Sequence, residues 1–182
     1  MTTPDPDREA RFRALYEDAY GDLLRFAERR VDTSHAEDVA ADAFLVVWRR
    51  LDDAPHRPDD LRAWLFGIAR HCIQNTRRGQ VRHDALAVRI AELPPNGSAL
   101  PLNADLVAQR LDLAAAWQRL SETNQEALSL RVFEDLTSPQ AGRVLGITAA
   151  SYRLRLLRAR RALSSQLGSS QPTIPTQMET QP

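Results

Sequence analysis

The stretch that decides the fold runs from Thr137 to Leu167 and has the sequence TSPQAGRVLGITAASYRLRLLRARRALSSQL. Thr137 is followed three residues later by Gln140, which predicts a capping box at the start of a helix. Gly146 is the residue type that a turn with positive φ favours, and Thr148 is a good N-cap for a second helix. The stretch therefore predicts two helices separated by a tight turn.

The second of these helices has two different faces. The face predicted to be buried recurs at steps of four, three and four residues and consists of Tyr152, Leu156, Ala159 and Leu163. The outward face carries Leu154, Leu157, Arg158 and Arg161, with Arg153 and Arg160 on its flank. No carboxylate occurs from Gly142 to Gly168, whereas an ordinary surface helix mixes both signs. The pattern favours a helix-turn-helix that binds the major groove of DNA; the alternative is a solvated helix face.

Charge is segregated along the chain although the formal net charge is zero. Acids predominate from Val31 to Asp60, and arginines predominate from Leu61 to Ala91. The two blocks indicate two different partners. Every basic residue is arginine, which we attribute to a GC-rich genome more than to phosphate binding.

The sequence contains no recognisable catalytic or metal site. The chain has four histidines: His35, His56, His71 and His83. None of them has a second His or a Cys three or four residues away, the spacing at which two side chains of a helix can bind one metal ion. Neither a glycine-rich phosphate loop nor a nucleophile motif is present. We therefore predict no enzyme activity, no catalytic residue, no metal and no cofactor.

The single cysteine, Cys72, lies on the apolar side of a predicted helix, which indicates a reduced core thiol. The amino terminus, Met1 to Arg8, is acidic and lacks an apolar segment, and the chain has no membrane-spanning stretch. These features predict a cytoplasmic protein.

Helical periodicity recurs along the chain and no strand pattern is found. The first predicted helix runs from Asp7 to Arg30, the second from a Ser34–Glu37 capping box to Leu51, and the third from a cap at Asp59 or Asp60 to Gly79. A fourth helix is predicted from the spacing of Leu106, Leu113, Trp117 and Leu120. A fifth runs from a Thr123–Glu126 cap to about Glu134. Pro55 and Pro58 place a loop from Asp52 to Asp60.

The fold class predicted from these segments is all-α, with two small helical domains joined by a flexible linker. The first domain is expected at 1–92, the Pro-rich linker at 93–104 and the helix-turn-helix domain at 105–167. The tail at 168–182 is expected to be disordered because it has almost no apolar residues to bury.

Three motifs resemble the extracytoplasmic-function (ECF) sigma factors of bacterial RNA polymerase. They are Ala36-Glu37-Asp38 leading to Ala43-Phe44 and Val47-Trp48-Arg49, then Ala63-Trp64-Leu65-Phe66-Gly67-Ile68-Ala69-Arg70, then Leu145-Gly146-Ile147-Thr148 leading to Arg158-Ala159-Arg160. The resemblance covers about Phe12 to Leu167.

The resemblance implies a sigma factor whose partners are RNA polymerase core and promoter DNA, and it allows an anti-sigma protein as a further partner. Residues implied in core-polymerase binding are Glu37, Asp38, Asp42, Phe44, Trp48 and Arg49. Residues implied in recognition of the melted minus-ten element are Trp64, Arg70, His71, Asn75, Arg77 and Arg78. Residues implied in recognition of the minus-thirty-five duplex are Thr148, Ser151, Arg153, Leu154, Leu157, Arg158 and Arg161. We also expect the loop from Asp52 to Asp60 to accept an unstacked base.

The chain departs from the family pattern at several positions. His71 and Asn75 stand where the family usually has Asn and Asp, and Leu154 stands where a small polar residue is common. Gly142 replaces the usual Ala in the first helix of the helix-turn-helix, where glycine costs up to about 1 kcal/mol of helix propensity. The departures at His71 and Asn75 bear on promoter preference, and the departure at Leu154 bears on the base contacts of the second helix.

Two other functions share parts of this sequence pattern. A transcription regulator that binds duplex DNA alone also has a helix-turn-helix, and its first half serves as a dimerisation or sensing module. A sigma-like protein whose DNA contacts have decayed retains only partner binding. Leu154 and Leu157 fit either a DNA groove or a docking patch for an anti-sigma protein.

Overall fold

The structure, a computed structural model, describes residues 5–79 and 104–168, with side chains except at 77–79 and 104. Its described elements are all helical: α1 (Pro6–Glu28), α2 (Thr33–Arg49), a 3-10 turn (Leu51–Asp53), α3 (Pro58–Gly79), α4 (Ala104–Gln118), α5 (Glu122–Val132), α6 (Ser138–Leu145) and α7 (Ala149–Gly168). The predicted all-α class is confirmed. The predicted linker at 93–104 lies outside the described residues except for Ala104, which begins α4, and the predicted tail at 168–182 lies outside them except for Gly168, which ends α7.

Helices α1, α2 and α3 pack together as the first domain. The predicted inner faces are buried, including Val39, Ala43 and Val47 on α2. Phe26 of α1 stacks on Phe66 of α3 with ring centroids 4.8 Å apart. Burial of these apolar faces is the main favourable term for the three-helix arrangement.

Three of the predicted caps are wrong. Helix α2 begins at Thr33 after Asp32, one residue before the expected Ser34 box. Helix α3 begins at Pro58, because proline suits the first helical position, and this places both candidate aspartates within the first turn. In the first turn the two carboxylates still interact favourably with the positive end of the helix dipole. Helix α5 follows Ser121 and not Thr123.

The helix-turn-helix has the predicted local geometry. Thr137 and Gln140 form the capping box, and the backbone N–H of Thr137 donates to Gln140 Oε1 at 2.7 Å. Gly146 has φ of 68°, and the Ser151 N–H donates to Thr148 Oγ1 at 3.1 Å. These local contacts mark the start of α6, its end at Gly146 and the start of α7.

Tyr152 attaches the recognition helix α7 to α5. Its side chain is fully buried, and its hydroxyl donates to the Ala127 carbonyl at 2.9 Å. Burial raises the pKa of Tyr152 to about 12, so the phenol stays a hydrogen-bond donor at neutral pH. Leu156 and Ala159 are buried beside it as predicted. The buried stripe of α7 therefore fixes which face points outward.

The stripe predicted for α4 is only half buried. Trp117 and Leu120 are buried, but Leu106 and Leu113 are 49% and 38% exposed. Helix α4 contacts α7 less extensively than α5 and α6 do, so the amino-terminal half of α4 has few apolar neighbours to pack against. Periodicity alone predicted a longer buried face than the domain provides.

Gly142 is required by the turn and is not a weak point of α6. A Cβ at this position would lie 2.8 Å from the Ile147 carbonyl oxygen, which belongs to rigid backbone. The Ile147 N–H also donates to the Gly142 carbonyl at 2.9 Å. The close approach of two backbone segments therefore outweighs the helix propensity that alanine would add.

We expect Gly142→Ala to destabilise the second domain by about 2 kcal/mol through overpacking. The matched control is Gly21→Ala on α1, where the nearest atom to the new Cβ is Arg25 Nη1, at the end of a long side chain and at an ordinary contact distance of 3.8 Å. Gly21→Ala should stabilise by up to about 1 kcal/mol through helix propensity. Urea denaturation measures both, and equal effects at the two positions would contradict the steric explanation.

Candidate functional site

The acids predicted to bind polymerase lie on the surface of α2. Glu37, Asp38 and Asp42 are all exposed, and Asp38 and Asp42 are four residues apart on the same face. Arg49 is exposed near the end of the helix. The opposite face is buried against α1 and α3. This helix therefore presents an acidic surface whose position is fixed by the core beneath it.

Two residues of the predicted polymerase-binding set support this helix from inside. Phe44 is 3% exposed, and its ring packs 4.7 Å from Tyr16 of α1. Trp48 is half-buried, with its ring 5.1 Å from Phe12 and below the guanidinium of Arg8. Phe44 therefore belongs to the core that positions the acidic surface of α2 and is not part of that surface.

One face of α3 carries aromatic and polar side chains. Trp64 is half-buried, while His71 and Asn75 are exposed, and their spacing of seven and four residues aligns them along the helix. His71 Nδ1 lies 2.7 Å from the Gly67 carbonyl oxygen, which orients the ring. This alignment gives a stripe that a single strand could follow.

Arg70 lies on a different face of α3, and its partner belongs to the second domain. Its Nε donates to Glu126 Oε1 at 2.7 Å, and its side chain is 18% exposed. Of the predicted minus-ten set, Trp64, His71 and Asn75 therefore share one stripe of α3, whereas Arg70 is already paired with Glu126. The side chains of Arg77 and Arg78 lie outside the described ones.

The outward face of α7 is exposed as predicted. The exposed residues are Thr148, Ser151, Arg153, Leu154, Leu157, Arg158 and Arg161. Leu154 and Leu157 are 48% and 44% exposed, so they contribute apolar surface between the arginines. A helix with cationic flanks and an apolar centre can contact both DNA phosphates and base edges.

An open crevice of about 500 Å³ beside α7 was not predicted from the sequence. Arg131 of α5, Arg153 and Arg160 of α7, and the first turn of α6 at Ser138 line it. Arg131 also pairs with Asp135 at 2.9 Å. The capping box at Thr137 was the available signal, because a helix amino terminus near arginines is a suitable place for an anion.

The two domains are joined by ion pairs that sequence reasoning also missed. The interdomain ion pairs are Arg29–Glu134 at 2.7 Å, Arg30–Glu134 at 3.3 Å, Arg70–Glu126 at 2.7 Å and Arg143–Asp60 at 2.8 Å. Burial lowers the pKa of Arg30 to about 10, so the guanidinium remains charged at neutral pH. No local pattern reveals these pairs, because their partners are far apart in the chain.

Neither metal nor membrane chemistry is indicated by the described part of the chain. Residues 5–79 and 104–168 contain no group of three or more His, Cys, Asp or Glu side chains placed to bind a metal ion. None of the described helices is long and apolar enough to cross a bilayer. Cys72 is a free, half-buried thiol whose pKa is raised by burial.

Similarity to known proteins covers both domains. Residues 15–83 match the family described as Sigma-70 region 2, and residues 110–163 match that described as Sigma-70, region 4. RNA polymerase sigma factor NccH of Alcaligenes xylosoxydans xylosoxydans is 33% identical over 94% of this chain and 100% of its own. ECF RNA polymerase sigma factor SigL of Mycobacterium tuberculosis is 30% identical over 85% of this chain and 87% of its own.

A solved structure of CnrH in complex with the cytosolic domain of CnrY is similar in fold. It has a TM-score of 0.59 and 25% identity, and the match covers 90% of this chain and 91% of that one. The structural and sequence similarities therefore span the same two domains.

Proposed function

Because the chain belongs to the ECF family of RNA polymerase sigma factors, which act in promoter-specific initiation, we propose that it recognises the minus-ten element with its first domain and the minus-thirty-five element with its second. The observation that carries the proposal is the outward face of α7, where arginines flank two leucines with no acid among them. In this proposal the polymerase performs the chemistry in the cytoplasm, and the chain is not an enzyme.

Core polymerase binds the acidic surface of α2. Glu37, Asp38 and Asp42 supply the charge, and the buried Phe44 holds the helix against α1. Complementary charge steers association and fixes the register of an interface. A basic surface on the polymerase is the expected partner.

The minus-ten element is bound as a single strand along α3. Trp64 provides an aromatic ring, while His71 and Asn75 provide hydrogen-bonding groups that can contact an unstacked base. Arg70, Arg77 and Arg78 contact phosphates. The departures from the family pattern at His71 and Asn75 are expected to change which base is preferred.

The minus-thirty-five element is bound as a duplex by α7. Arg153, Arg158 and Arg161 contact phosphates or guanine edges, and Leu154 and Leu157 face the groove floor. Thymine has the only methyl group in the major groove, so the leucines predict a preference for thymine. The crevice beside α7 accepts an adjacent phosphate.

An anti-sigma protein is a further expected partner. The related CnrH was solved with a domain of another protein, CnrY. The exposed leucines of α7 are the alternative docking surface for such a partner, since apolar side chains in contact with water are typical of binding sites.

DNA binding with and without polymerase core tests the proposed function. A labelled promoter fragment is titrated with the chain alone, with core alone and with both together. We expect a promoter-specific complex only when both are present. Equal specific binding by the chain alone would identify a regulator that acts without polymerase.

Replacing Leu154 with Ser should relax discrimination for thymine at one minus-thirty-five position by about 1 kcal/mol, because the methyl contact is lost. Selection of promoter variants by the holoenzyme measures the change in preference. If Leu154→Ser leaves the base preference unchanged but abolishes binding to an anti-sigma protein, Leu154 serves regulation and not promoter recognition.

The companion variant Arg158→Ala distinguishes a phosphate contact from a base contact. Loss of a phosphate contact weakens binding to all sequences and makes the negative slope of log affinity against log salt shallower by about 0.9. Titration at several salt concentrations gives this slope. A sequence-dependent loss with an unchanged slope would indicate a base contact.

A further inference from the structure

An arginine in the first turn of α1 contacts the start of the loop from Asp52 to Asp60. Arg8 lies 44 residues before Asp52, and it precedes the residues 15–83 that match Sigma-70 region 2. Its two neighbours in the chain are acids, which are the side chains that the first turn of a helix favours. A cation at this position interacts unfavourably with the helix dipole, so contacts outside α1 have to compensate for it.

The guanidinium of Arg8 contacts two groups at once, and both lie where α2 ends and the loop begins. Its Nη2 donates to the Trp48 carbonyl at 2.7 Å, and its Nη1 pairs with a carboxylate oxygen of Asp52. The guanidinium carbon lies 5.3 Å from the centroid of the Trp48 ring, a distance typical of a cation–π contact. The planar fork of arginine can make these contacts together, whereas the compact ammonium of lysine is a single point charge.

The Trp48 carbonyl belongs to the last turn of α2, whose carbonyls have no partner within a regular helix. The carbonyls of Val46 and Val47 both accept from the Arg50 N–H. For the Trp48 carbonyl, Arg8 supplies from another helix the cationic cap that the negative end of α2 favours. The end of α2 is therefore fixed relative to α1.

The start of the loop is fixed by the same guanidinium. Directly after α2 the chain forms the 3-10 turn, in which the Asp53 N–H donates to the Arg50 carbonyl at 2.9 Å. The Leu51 side chain is buried at the first position of this turn. Because Arg8 holds Asp52 in the middle of the turn, it sets the direction in which the chain leaves α2.

The pair with Arg8 also compensates a negative charge beside the loop. The Asp52 side chain is 74% exposed and that of Arg8 is 25% exposed, so the pair lies at the surface. Without Arg8 the Asp52 carboxylate would be free to approach the phosphates of a bound strand and to repel them. Further along the loop, His56 and Arg57 are exposed and can reach an unstacked base.

We propose that Arg8 is a positioning residue that sets the base preference of the loop without touching DNA, because it holds Trp48 and Asp52 in one geometry. The inference rests on the proposed function for the role of the loop in minus-ten recognition, whereas the contacts of Arg8 do not depend on it. A partly exposed ion pair contributes little to overall stability, so loss of Arg8 should alter the loop more than the fold.

The first measurement uses the free, full-length chain. Arg8→Ala removes the contacts, and the matched control Arg13→Ala removes the same charge from the same helix but breaks an exposed pair with Glu9 inside α1. Hydrogen exchange followed by NMR reports the opening of the Asp53 and Ala54 N–H groups in the 3-10 turn. We expect both groups to exchange about tenfold faster in Arg8→Ala and at the parent rate in Arg13→Ala. Equal rates in the two variants would overturn the proposal.

The second measurement uses the holoenzyme and promoters that differ at single minus-ten positions. The base preference is the ratio of the affinities for the best and the next-best base. We expect Arg8→Ala to reduce this ratio by about fivefold, while the affinity for core and the minus-thirty-five preference stay within about twofold of the parent. An equal loss of core affinity would show that Arg8 merely supports α2, and this would overturn the proposal.

Arg8→Lys tests the fork geometry, because it keeps the charge and cannot hold both partners in the same way. We expect it to recover only part of the base preference that Arg8→Ala loses. Full recovery in Arg8→Lys would show that the charge alone matters and would overturn the positioning role.

Asp52→Ala breaks the pair from the exposed side and covers the case in which Arg8→Ala fails to fold. It also removes the carboxylate, so a purely electrostatic effect predicts tighter promoter binding with an unchanged base preference. Positioning predicts the same loss of about fivefold as in Arg8→Ala, and no further loss in the double variant. An unchanged preference in Asp52→Ala would overturn the proposal.

The failures of the two proposals are distinguishable. If core polymerase does not bind the chain, the proposed function fails, and the exchange comparison of Arg8→Ala with Arg13→Ala still decides whether Arg8 holds the turn. If the holoenzyme recognises promoters with a preference that does not depend on Arg8, the proposed function stands and this inference fails.

Discussion

Asp38→Arg is expected to weaken binding to RNA polymerase core by about a hundredfold while the chain stays folded. Asp38 is exposed on α2, whose buried face packs on α1 and α3, so the substitution does not disturb the core. Reversing the charge places like charges against each other at an interface, which costs about 3 kcal/mol. Competition with a labelled sigma factor for core polymerase measures the loss.

The matched control for this substitution is Asp112→Arg. Asp112 is an exposed acid on α4 of the second domain, so the change in net charge is the same. Circular dichroism of both variants reports the helical content. If Asp38→Arg competes for core polymerase as well as the parent chain does, α2 is not the polymerase-binding helix.

Tyr152→Ala is expected to destabilise the second domain by about 4 kcal/mol, because a fully buried aromatic ring is replaced by a cavity. The same change removes the hydrogen bond from the hydroxyl to the Ala127 carbonyl, which attaches α7 to α5. Denaturation monitored by circular dichroism measures the destabilisation. Promoter selection should lose its minus-thirty-five preference, since the recognition helix is no longer held in place.

Tyr152→Phe separates the packing contribution from the hydrogen bond. It keeps the ring and removes only the hydroxyl, so the expected loss is about 1 kcal/mol. Minus-thirty-five preference should be retained. Similar losses in the two variants would show that packing of the ring is not what positions α7.

Local signals in the sequence were sufficient for the helix-turn-helix. The capping box at Thr137, the positive φ of Gly146 and the cap at Thr148 depend on neighbouring residues, and each is found in the structure. The buried stripe of α7 was also predicted, since helical periodicity places Tyr152 and Leu156 on one face.

The features that sequence reasoning missed depend on contacts between distant segments. Gly142 seemed unfavourable in a helix, but the Ile147 carbonyl, which approaches it across the turn, leaves no room for a Cβ. The family resemblance placed Phe44 among the polymerase-binding residues, yet it is buried and the Tyr16 ring of α1 packs against it. Arg70 was assigned to DNA alone, and its partner Glu126 follows it by 56 residues.

Run-off transcription with core polymerase and a genomic promoter library tests the central claim most directly. We predict that core together with this chain yields transcripts from a set of promoters sharing a minus-ten and a minus-thirty-five sequence, that core alone does not, and that Asp38→Arg strongly reduces these transcripts at a chain concentration that saturates core with the parent. Transcription no different from that of core alone, with the chain folded and present in excess, would contradict the account.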